Sequence, residues 1–430
     1  MNTAANNPVR LERAEHGIDP MLVDQHGVEV VSRLQQEGFS AYLVGGCVRD
    51  LLLEHQPKDF DVATNATPEQ VKALFRRSRL VGRRFRIAHV RVGRELIEVS
   101  TFRSNTSAKQ SDDRSHSDEG MILRDNVYGT LEEDAFRRDF TINALYYDPT
   151  SETVVDYVGG LEDLKHRRLR FIGDTATRLR EDPVRALRAI RFQAKIGFTL
   201  DTEITRLLPE AASAMSAIPP ARLFDEMLKL LLSGYGERAW RLLADCPLSV
   251  VLFPNTAPDD PLIRQAMQNT DERIAEDKPI TPGFMIAVLL WKDYQARVRD
   301  HESTVKPAEA RFLAAAETLA AQQQVIAVPR RFSQFVRDVW SLQERLVERR
   351  PRNITRLAEN PRFRAGYDFL LLRGETGEDV VEPGEWWTRY QQVDPEEREK
   401  MVGALTGRTP RRRRQKKKTA PQSPDSLECP

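Results

Sequence analysis

Two aspartates separated by one residue, Asp59 and Asp61 in KDFDV, are the residues whose type and spacing most directly suggest chemistry. On a β-strand, positions i and i+2 face the same side, so both carboxylates would project together from a rigid support. Like charges that close repel unless a cation joins them, and hard carboxylate oxygens suit Mg2+. Such pairs also occur on turns and exposed strands without any role, so the neighbourhood matters. Upstream, Gly45-Gly46 interrupts a short apolar strand, AYLV (41–44), and leads into VRDLLL (48–53), which reads as a helix. Small residues at that junction let backbone N–H groups and a helix N-terminus come close to phosphate groups. Arg49 and Asp50 follow in the first helical turn. An ordinary strand-to-helix turn is the simpler account of the two glycines taken alone.

Further carboxylates and arginines lie downstream. Asp139 in RRDFTIN (137–143) is a candidate third carboxylate, and Glu98 on the strand-like IEVSTF is its rival; the RRD context favours Asp139. On a helix, Asp139 and Asn143 would sit one turn apart on one face, as a shared ligand requires. A plain ion pair between Asp139 and Arg138 or another basic residue is the alternative. In EDPVRALRAIRF (181–192), Asp182 stands at a helix start, and Arg185 and Arg188 oppose the apolar stripe of Val184, Leu187 and Ile190. N-capping plus a solvated arginine face would explain that segment without any ligand.

The elements that must position these residues alternate in an α/β manner up to about residue 173. DFDVAT (59–64) alternates as a strand should, and Thr67 with Pro68 caps a helix carrying Val71, Leu74 and Phe75 on one face. IAHVRV (87–92) and LIEVSTF (96–102) read as strands paired through Gly93. Residues 104–120 lack apolar periodicity and read as a mobile loop. Thr130 and Glu133 have capping-box spacing at the start of a helix running towards Tyr147, and residues 156–160 with 167–173 suggest a last hairpin. Beyond Asp174 the pattern is almost continuous helix, including one that Gly197 can end. The expected class is α+β: a flexible arm (1–23), a mixed-sheet α/β head (24–173), a helical neck (174–235), a helical body (236–400) and a disordered basic tail (401–430).

Composition excludes several classes. With 30% charged and 40% hydrophobic residues, the chain fits a globular protein able to bury a sizeable core. No apolar run reaches the roughly 18 residues of a membrane span, and the first residues lack a secretory apolar stretch. Three Cys, at 47, 246 and 429, make neither a disulfide framework nor a zinc pattern, so a cytoplasmic setting is expected. Cys47 reads as a small residue fitting its turn. The formal net charge of +1 hides a tail of +6 on a body of −5. Arg411, Arg412, Arg413, Arg414, Lys416, Lys417 and Lys418 carry most of that tail charge. A second block, residues 76–94, holds eight Arg and no acid, among them Arg83, Arg84 and Arg86. Arginine forks match phosphate oxygens, so two such blocks point to an anionic polymer; a solvated face is the bland alternative.

Taken together, LVGGCVRDLLL…DFDVAT resembles the nucleotidyltransferase signature of the class II tRNA nucleotidyltransferase and bacterial poly(A) polymerase family. Recognisable motifs run from Val44 to about Leu232. The resemblance implies a polymerase-beta-like nucleotidyltransferase head and two Mg2+ ions on Asp59 and Asp61, with Mn2+ as a substitute. It implies a triphosphate held near Gly45, Gly46 and Arg49, and a nucleotide contacted by Arg137, Arg138, Asp139 and Asn143. Asp182 and Arg185, with Arg188 nearby, resemble the base-reading motif, whose rigid polar groups can read a base edge as pairing would. VGRRFRIAHV (81–90), the basic tail and RGETGEDV…EWWTRYQ (373–391) resemble the poly(A) polymerase branch. No adjacent His-Asp occurs, so the phosphohydrolase domain of some CCA-adding relatives is not expected. Trp386 and Trp387 are either base-stacking residues or a core edge.

The expected activity is template-independent addition of AMP from ATP to RNA 3′ ends, serving RNA processing and decay. The expected partners are RNA 3′ ends of mRNA, decay intermediates, tRNA and small RNAs, together with RNA-decay proteins. A CCA-adding tRNA nucleotidyltransferase shares every catalytic motif, and a non-catalytic RNA-binding protein would need the basic blocks alone.

Overall fold

The structure is a computed structural model that describes residues 7–82, 86–104 and 128–405. It divides into two compact units: residues 1–259, 267–280 and 320–328, and residues 260–266, 281–319 and 329–430. The expected boundary between neck and body at 235 therefore falls inside the first unit.

The first unit is organised by an eight-stranded mixed sheet. Its strands are β1 (Val9–Leu11), β2 (Ala41–Val44), β3 (Asp61–Thr64), β4 (Ser78–Val81), β5 (Ile87–Val92), β6 (Glu95–Thr101), β7 (Leu145–Asp148) and β8 (Thr153–Asp156). Their spatial order is β1-β8-β7-β2-β3-β6-β5-β4, with β3 and β6 parallel and every other pair antiparallel. The β5–β6 hairpin turns through Gly93 as its sequence implies.

Two sequence expectations are corrected here. The expected flexible arm is folded from residue 7 onward, because β1 pairs along β8 (Arg10 opposite Val155) and extends the sheet. Residues 78–81, to which the sequence reading gave no element, form an edge strand with a single arginine, Arg79. Residues 156–160 and 167–173 do not pair: β8 belongs to the large sheet, while β9 (Arg168–Leu169) runs parallel to β10 (Thr199–Leu200).

Helices accompany the sheet, and those starting near residues 46, 68 and 131 lie where sequence signals place them. They are α1 (Arg13–His16), α2 (Gln25–Gln36), α3 (Gly46–Leu52), α4 (Pro68–Leu74), α5 (Leu131–Arg137) and α6 (Gly160–Lys165). Thr67 caps its helix and Thr130 forms the capping box with Glu133 as expected, while Gln70 completes a further box with Thr67; both satisfy N–H groups that the first helical turn leaves open. The second helix ends much earlier than its sequence suggests. Residues 141–143 form a 3-10 turn and 145–148 become β7, so no helix reaches Tyr147. Val44, Ala63, Phe102, Ala135, Tyr146, Val155 and Ile172 form the core beneath α5.

The neck follows as α7 (Thr175–Glu181), α8 (Arg185–Ile196), α9 (Thr202–Ala214) and α10 (Pro220–Leu231). Gly197 terminates α8 in the left-handed region, and Val184, Leu187 and Ile190 are buried as the 3.6-residue period requires. The second unit is helical around Leu342, Leu346, Ile354, Leu370 and Trp387. Trp387 is fully buried, and its indole N–H donates to the Leu346 carbonyl at 2.8 Å. Trp386 is half-buried and stacks on Tyr390, so the tandem tryptophans serve the core edge.

Gly160 sits where α6 meets the Thr141 turn, and an added Cβ would fall 2.3 Å from the Thr141 carbonyl oxygen. Gly160→Ala is expected to destabilise the first unit by about 1–3 kcal/mol, read from urea unfolding. An unshifted midpoint would show that α6 can move away from Thr141.

Candidate functional site

Strand register gathers the acidic residues. Val44 on β2 lies opposite Asp61, and Asp61 lies opposite Glu98 on the parallel strand β6. Glu98 in turn faces His89 on β5, whose Nε2 is 3.3 Å from the Glu98 carboxylate. Opposed residues share a face of the sheet, so Asp61 and Glu98 stand side by side on one surface. Asp59 is not on the strand, which begins at Asp61, but it lies near enough for its charge to act on Asp61. The carboxylates of Asp59 and Asp61 make no hydrogen bond or ion pair with another described residue.

The Asp61 side chain is open to solvent on one side and walled by protein on the other. Partial burial, then the negative charges of Glu98 and Asp59, push its carboxyl up to about 6, although Arg138 opposes the shift. This is what two or three carboxylates sharing one small space should show when no cation balances them. The donor set is all hard oxygen and suits Mg2+. Among the described residues, no three His, Cys, Asp or Glu side chains are arranged to enclose a metal ion by themselves. A Mg2+ held on one or two carboxylates keeps water and substrate phosphates in its remaining positions, so a partial protein shell fits.

The glycine turn leans on the RRD segment. Gly45 has φ +80° and ψ −125°, a conformation that disfavours a side chain, and a Cβ there would stand 3.5 Å from Arg138 Nη1 and 3.7 Å from the Asn143 carbonyl. The Gly45 N–H is already used, donating to the Leu145 carbonyl at 3.1 Å. Cys47 is buried below the turn, its thiol donating to the Val44 carbonyl and pushed up to about 12 mainly by burial. It is no nucleophile.

Arg49 departs most from its expected place. It is fully buried, with Nε and Nη2 on Asp50 and Nη1 donating to the Asn143 side-chain oxygen at 2.7 Å. It braces the turn and presents no free guanidinium for a triphosphate. Arg138 is held by Asp134 and by the Tyr146 hydroxyl (3.1 Å), while that hydroxyl donates to Asp134 at 2.8 Å. The sequence reading missed Asp134, although its i,i+4 spacing from Arg138 was a visible signal.

Asp139 and Asn143 are not on one helix, since α5 stops at Arg137 and residues 141–143 form a 3-10 turn. The Asp139 carboxylate is engaged by Nε and Nη2 of Arg188 on α8. Burial alone would raise its carboxyl, but the Arg188 charge and hydrogen bonds from Arg188, the Phe140 N–H and Asn143 hold it below the ordinary range. That interaction stabilises the fold above the ordinary carboxylate pKa and is lost as pH falls through the lowered value. Glu98 is therefore the carboxylate that stands beside Asp61, whereas Asp139 is engaged by Arg188 of the neck.

The remaining neck residues are also anchored. Asp182 accepts from Arg222 on α10 at 2.6 Å and from the Val184 N–H, so it precedes α8 instead of capping it directly. Arg185 meets Glu181 at 3.0 Å and the Arg178 carbonyl at 2.6 Å. Arg178 donates to the carbonyls of Arg137 and Arg138 at the end of α5. Arg178 and Arg222 had no signal in the sequence, because their partners are 40 or so positions away. Of the basic residues assigned to RNA, Arg86 is exposed and paired with Glu69 at 2.6 Å. Arg83, Arg84 and the tail from 406 onward lie outside the described residues.

A strand-borne acidic pair facing a glycine turn, with an arginine-rich helical neck behind it, defines the nucleotidyltransferase class. Sequence comparison specifies the branch. Three patterns match: "Poly A polymerase head domain" over residues 41–170, "Probable RNA and SrmB- binding site of polymerase A" over 197–260, and "Polymerase A arginine-rich C-terminus" over 303–419. The chain is 46% identical to poly(A) polymerase I of Haemophilus influenzae over 406 residues, covering 91% of this chain and 90% of that one. It is 43% identical to poly(A) polymerase I of Escherichia coli O6:H1, covering 96% and 92%. Among solved structures, the apo form II of a CCA-adding enzyme superposes with a TM-score of 0.61 at 20% identity, covering 94% and 97%, a likeness of fold. The chain belongs to the bacterial poly(A) polymerases of the class II tRNA nucleotidyltransferase and poly(A) polymerase family. It is an enzyme of the polynucleotide adenylyltransferase class. Among the described residues, no helix is long and apolar enough to cross a membrane.

A carboxyl raised in the folded state costs stability above its unfolded pKa, and the cost is complete once pH exceeds the folded value. Asp61→Asn is therefore expected to raise the melting temperature at pH 7 in metal-free buffer by roughly 1–4 °C. The gain should shrink as pH is lowered towards 4. A gain independent of pH would identify a packing effect instead.

Proposed function

We propose that the chain adds AMP from ATP to RNA 3′ ends without a template, releasing pyrophosphate, and so acts on the RNA ends of processing and decay. The observation that carries this reading is the trio of Asp59, Asp61 and Glu98, of which the two aspartates have no partner among the described residues. Asp59 and Asp61 hold Mg2+ in this account, with Glu98 alongside. When bound, Mg2+ supplies acidification of the RNA 3′-hydroxyl and charge stabilisation of the leaving pyrophosphate.

The chain's own residues do the positioning. The Gly45-Gly46 turn lets backbone approach the triphosphate, and Arg49 keeps that turn rigid from below. Arg138, oriented by Asp134 and Tyr146, brings positive charge to the edge of the acidic site. Asp182 and Arg185 read adenine. Their ion pairs with Arg222 and Glu181 leave capacity over, since a carboxylate has about four acceptor sites and a guanidinium five N–H donors. Arg188 acts through Asp139 by fixing α8 against the RRD segment.

The test offers each NTP separately to a generic RNA oligonucleotide and to a tRNA lacking its CCA end, then sequences the products. Long A tracts on both RNAs are expected; a CCA triplet confined to tRNA would replace this reading with CCA addition. No pyrophosphate release with ATP, Mg2+ and RNA would leave only RNA binding. Asp59→Ala and Asp61→Ala are each expected to reduce incorporation to background while RNA binding without ATP stays near wild type. Substantial polymerisation by either variant would sink the metal assignment.

The basic tail has a separate role in this reading, that of sequence-independent attraction to RNA backbone. Deleting residues 408–430 is expected to weaken RNA binding and flatten its salt dependence, since each neutralised phosphate contributes a slope of about −0.7 on single strands. An unchanged slope would assign the tail to another partner.

A further inference from the structure

The second unit contains a cavity of about 330 Å³ that the reaction at the acidic trio does not use. That volume lies at the lower end of the range for small-molecule sites. Trp291, Tyr294 and Trp340 line it, and all three are more than nine-tenths buried. Tyr294 and Trp340 are stacked with ring centroids 4.4 Å apart, and Trp291 meets Tyr294 at 5.4 Å. A group of aromatic rings bordering an open space is the usual receptor for a flat heterocycle.

Most polar groups around the cavity are satisfied. Arg373 lies over the Trp291 ring and binds Gln343 and Glu378, and Arg311 pairs with Glu344 at 2.7 Å. The Tyr294 hydroxyl is the exception. Tyr294 is 4% exposed, yet its hydroxyl has no hydrogen-bond partner among the described residues. The oxygen itself is not among the sealed polar atoms that lack a partner, so it opens on the cavity and is free to donate to what enters it. At the rim, Arg299 and Glu302 are exposed, three residues apart on the same helix (Trp291–Glu302), and neither forms a hydrogen bond or ion pair with a described residue.

We infer that this cavity binds one unpaired nucleobase bearing an exocyclic amine, carried either by the RNA or by a free nucleotide. The base lies against the aromatic lining, and the Tyr294 hydroxyl donates to a ring nitrogen. Glu302 accepts from the exocyclic amine, and Arg299 meets the attached phosphate. The inference rests on the polyadenylation reading only in taking RNA as the polymer bound.

The test uses the full chain without ATP, so a failure to polyadenylate would not affect its result. Oligoadenylate and oligouridylate binding are measured by fluorescence anisotropy, and AMP binding by equilibrium dialysis. Val298→Trp fills the cavity from its wall, while Tyr294→Phe removes only the hydroxyl and keeps the ring stack. If RNA supplies the base, Val298→Trp should weaken oligoadenylate binding about 5- to 150-fold, as expected for losing one stacked base. Tyr294→Phe should weaken it about 2- to 12-fold, as expected for one hydrogen bond, with oligouridylate affected less. If a free nucleotide is the source, RNA binding stays unchanged and Val298→Trp binds one AMP fewer per chain than wild type. Wild-type RNA affinity and wild-type AMP stoichiometry in a folded Tyr294→Phe and Val298→Trp pair would overturn the inference. Should Val298→Trp melt early, Tyr294→Phe decides alone, through the same two measurements.

Discussion

Strand register sets Asp61 beside Glu98 and within the field of Asp59, and this concentration of like charge is the constraint on which the head is built. An unpaired carboxylate group of this kind lowers the stability of the empty fold, and the raised carboxyl of Asp61 is the visible sign. The surrounding positive charge does not cancel it. Arg49 is consumed by Asp50 and Asn143, and Arg138 by Asp134 and Tyr146. Stability is given up locally so that a charged substrate can supply it.

A second set of charges bonds the neck to the head and braces the neck internally. Arg188 to Asp139, Arg178 to the carbonyls ending α5, and Arg222 to Asp182 are all contacts between residues distant in sequence. The Arg188–Asp139 and Arg222–Asp182 pairs are partly exposed, so solvent screens them and each is worth less than a fully buried pair. Such struts fix α8 against the RRD segment. The arginines that the sequence offers as a base-reading or solvated face are engaged by partners from other elements.

Legibility of the site followed the range of the interactions. The capping boxes at Thr67 and Thr130, the end of α8 at Gly197 and the β5–β6 hairpin depend on residues within a few positions, and their patterns are readable directly. The folded arm was missed because β1 is only three residues long and gains its order from β8, far along the chain. The helix expected to run towards Tyr147 was too long because residues 145–148 are taken into the sheet between β2 and β8. Propensity yields there to pairing.

Sequence by itself determined the chemical inventory: a carboxylate pair two residues apart, a glycine turn before a helix, an arginine-rich neck and an aromatic-containing helical remainder. Those follow from residue type and short spacing, which act through local backbone geometry. Only the tertiary structure decided which carboxylate completes the group, because Asp139 and Glu98 look equivalent until strand pairing places one beside Asp61 and an ion pair occupies the other. It likewise decided that Arg49 is a brace and that Tyr294 is buried without a partner among the described residues. Burial and partner choice depend on what the rest of the chain brings alongside, and no local pattern of residues encodes that.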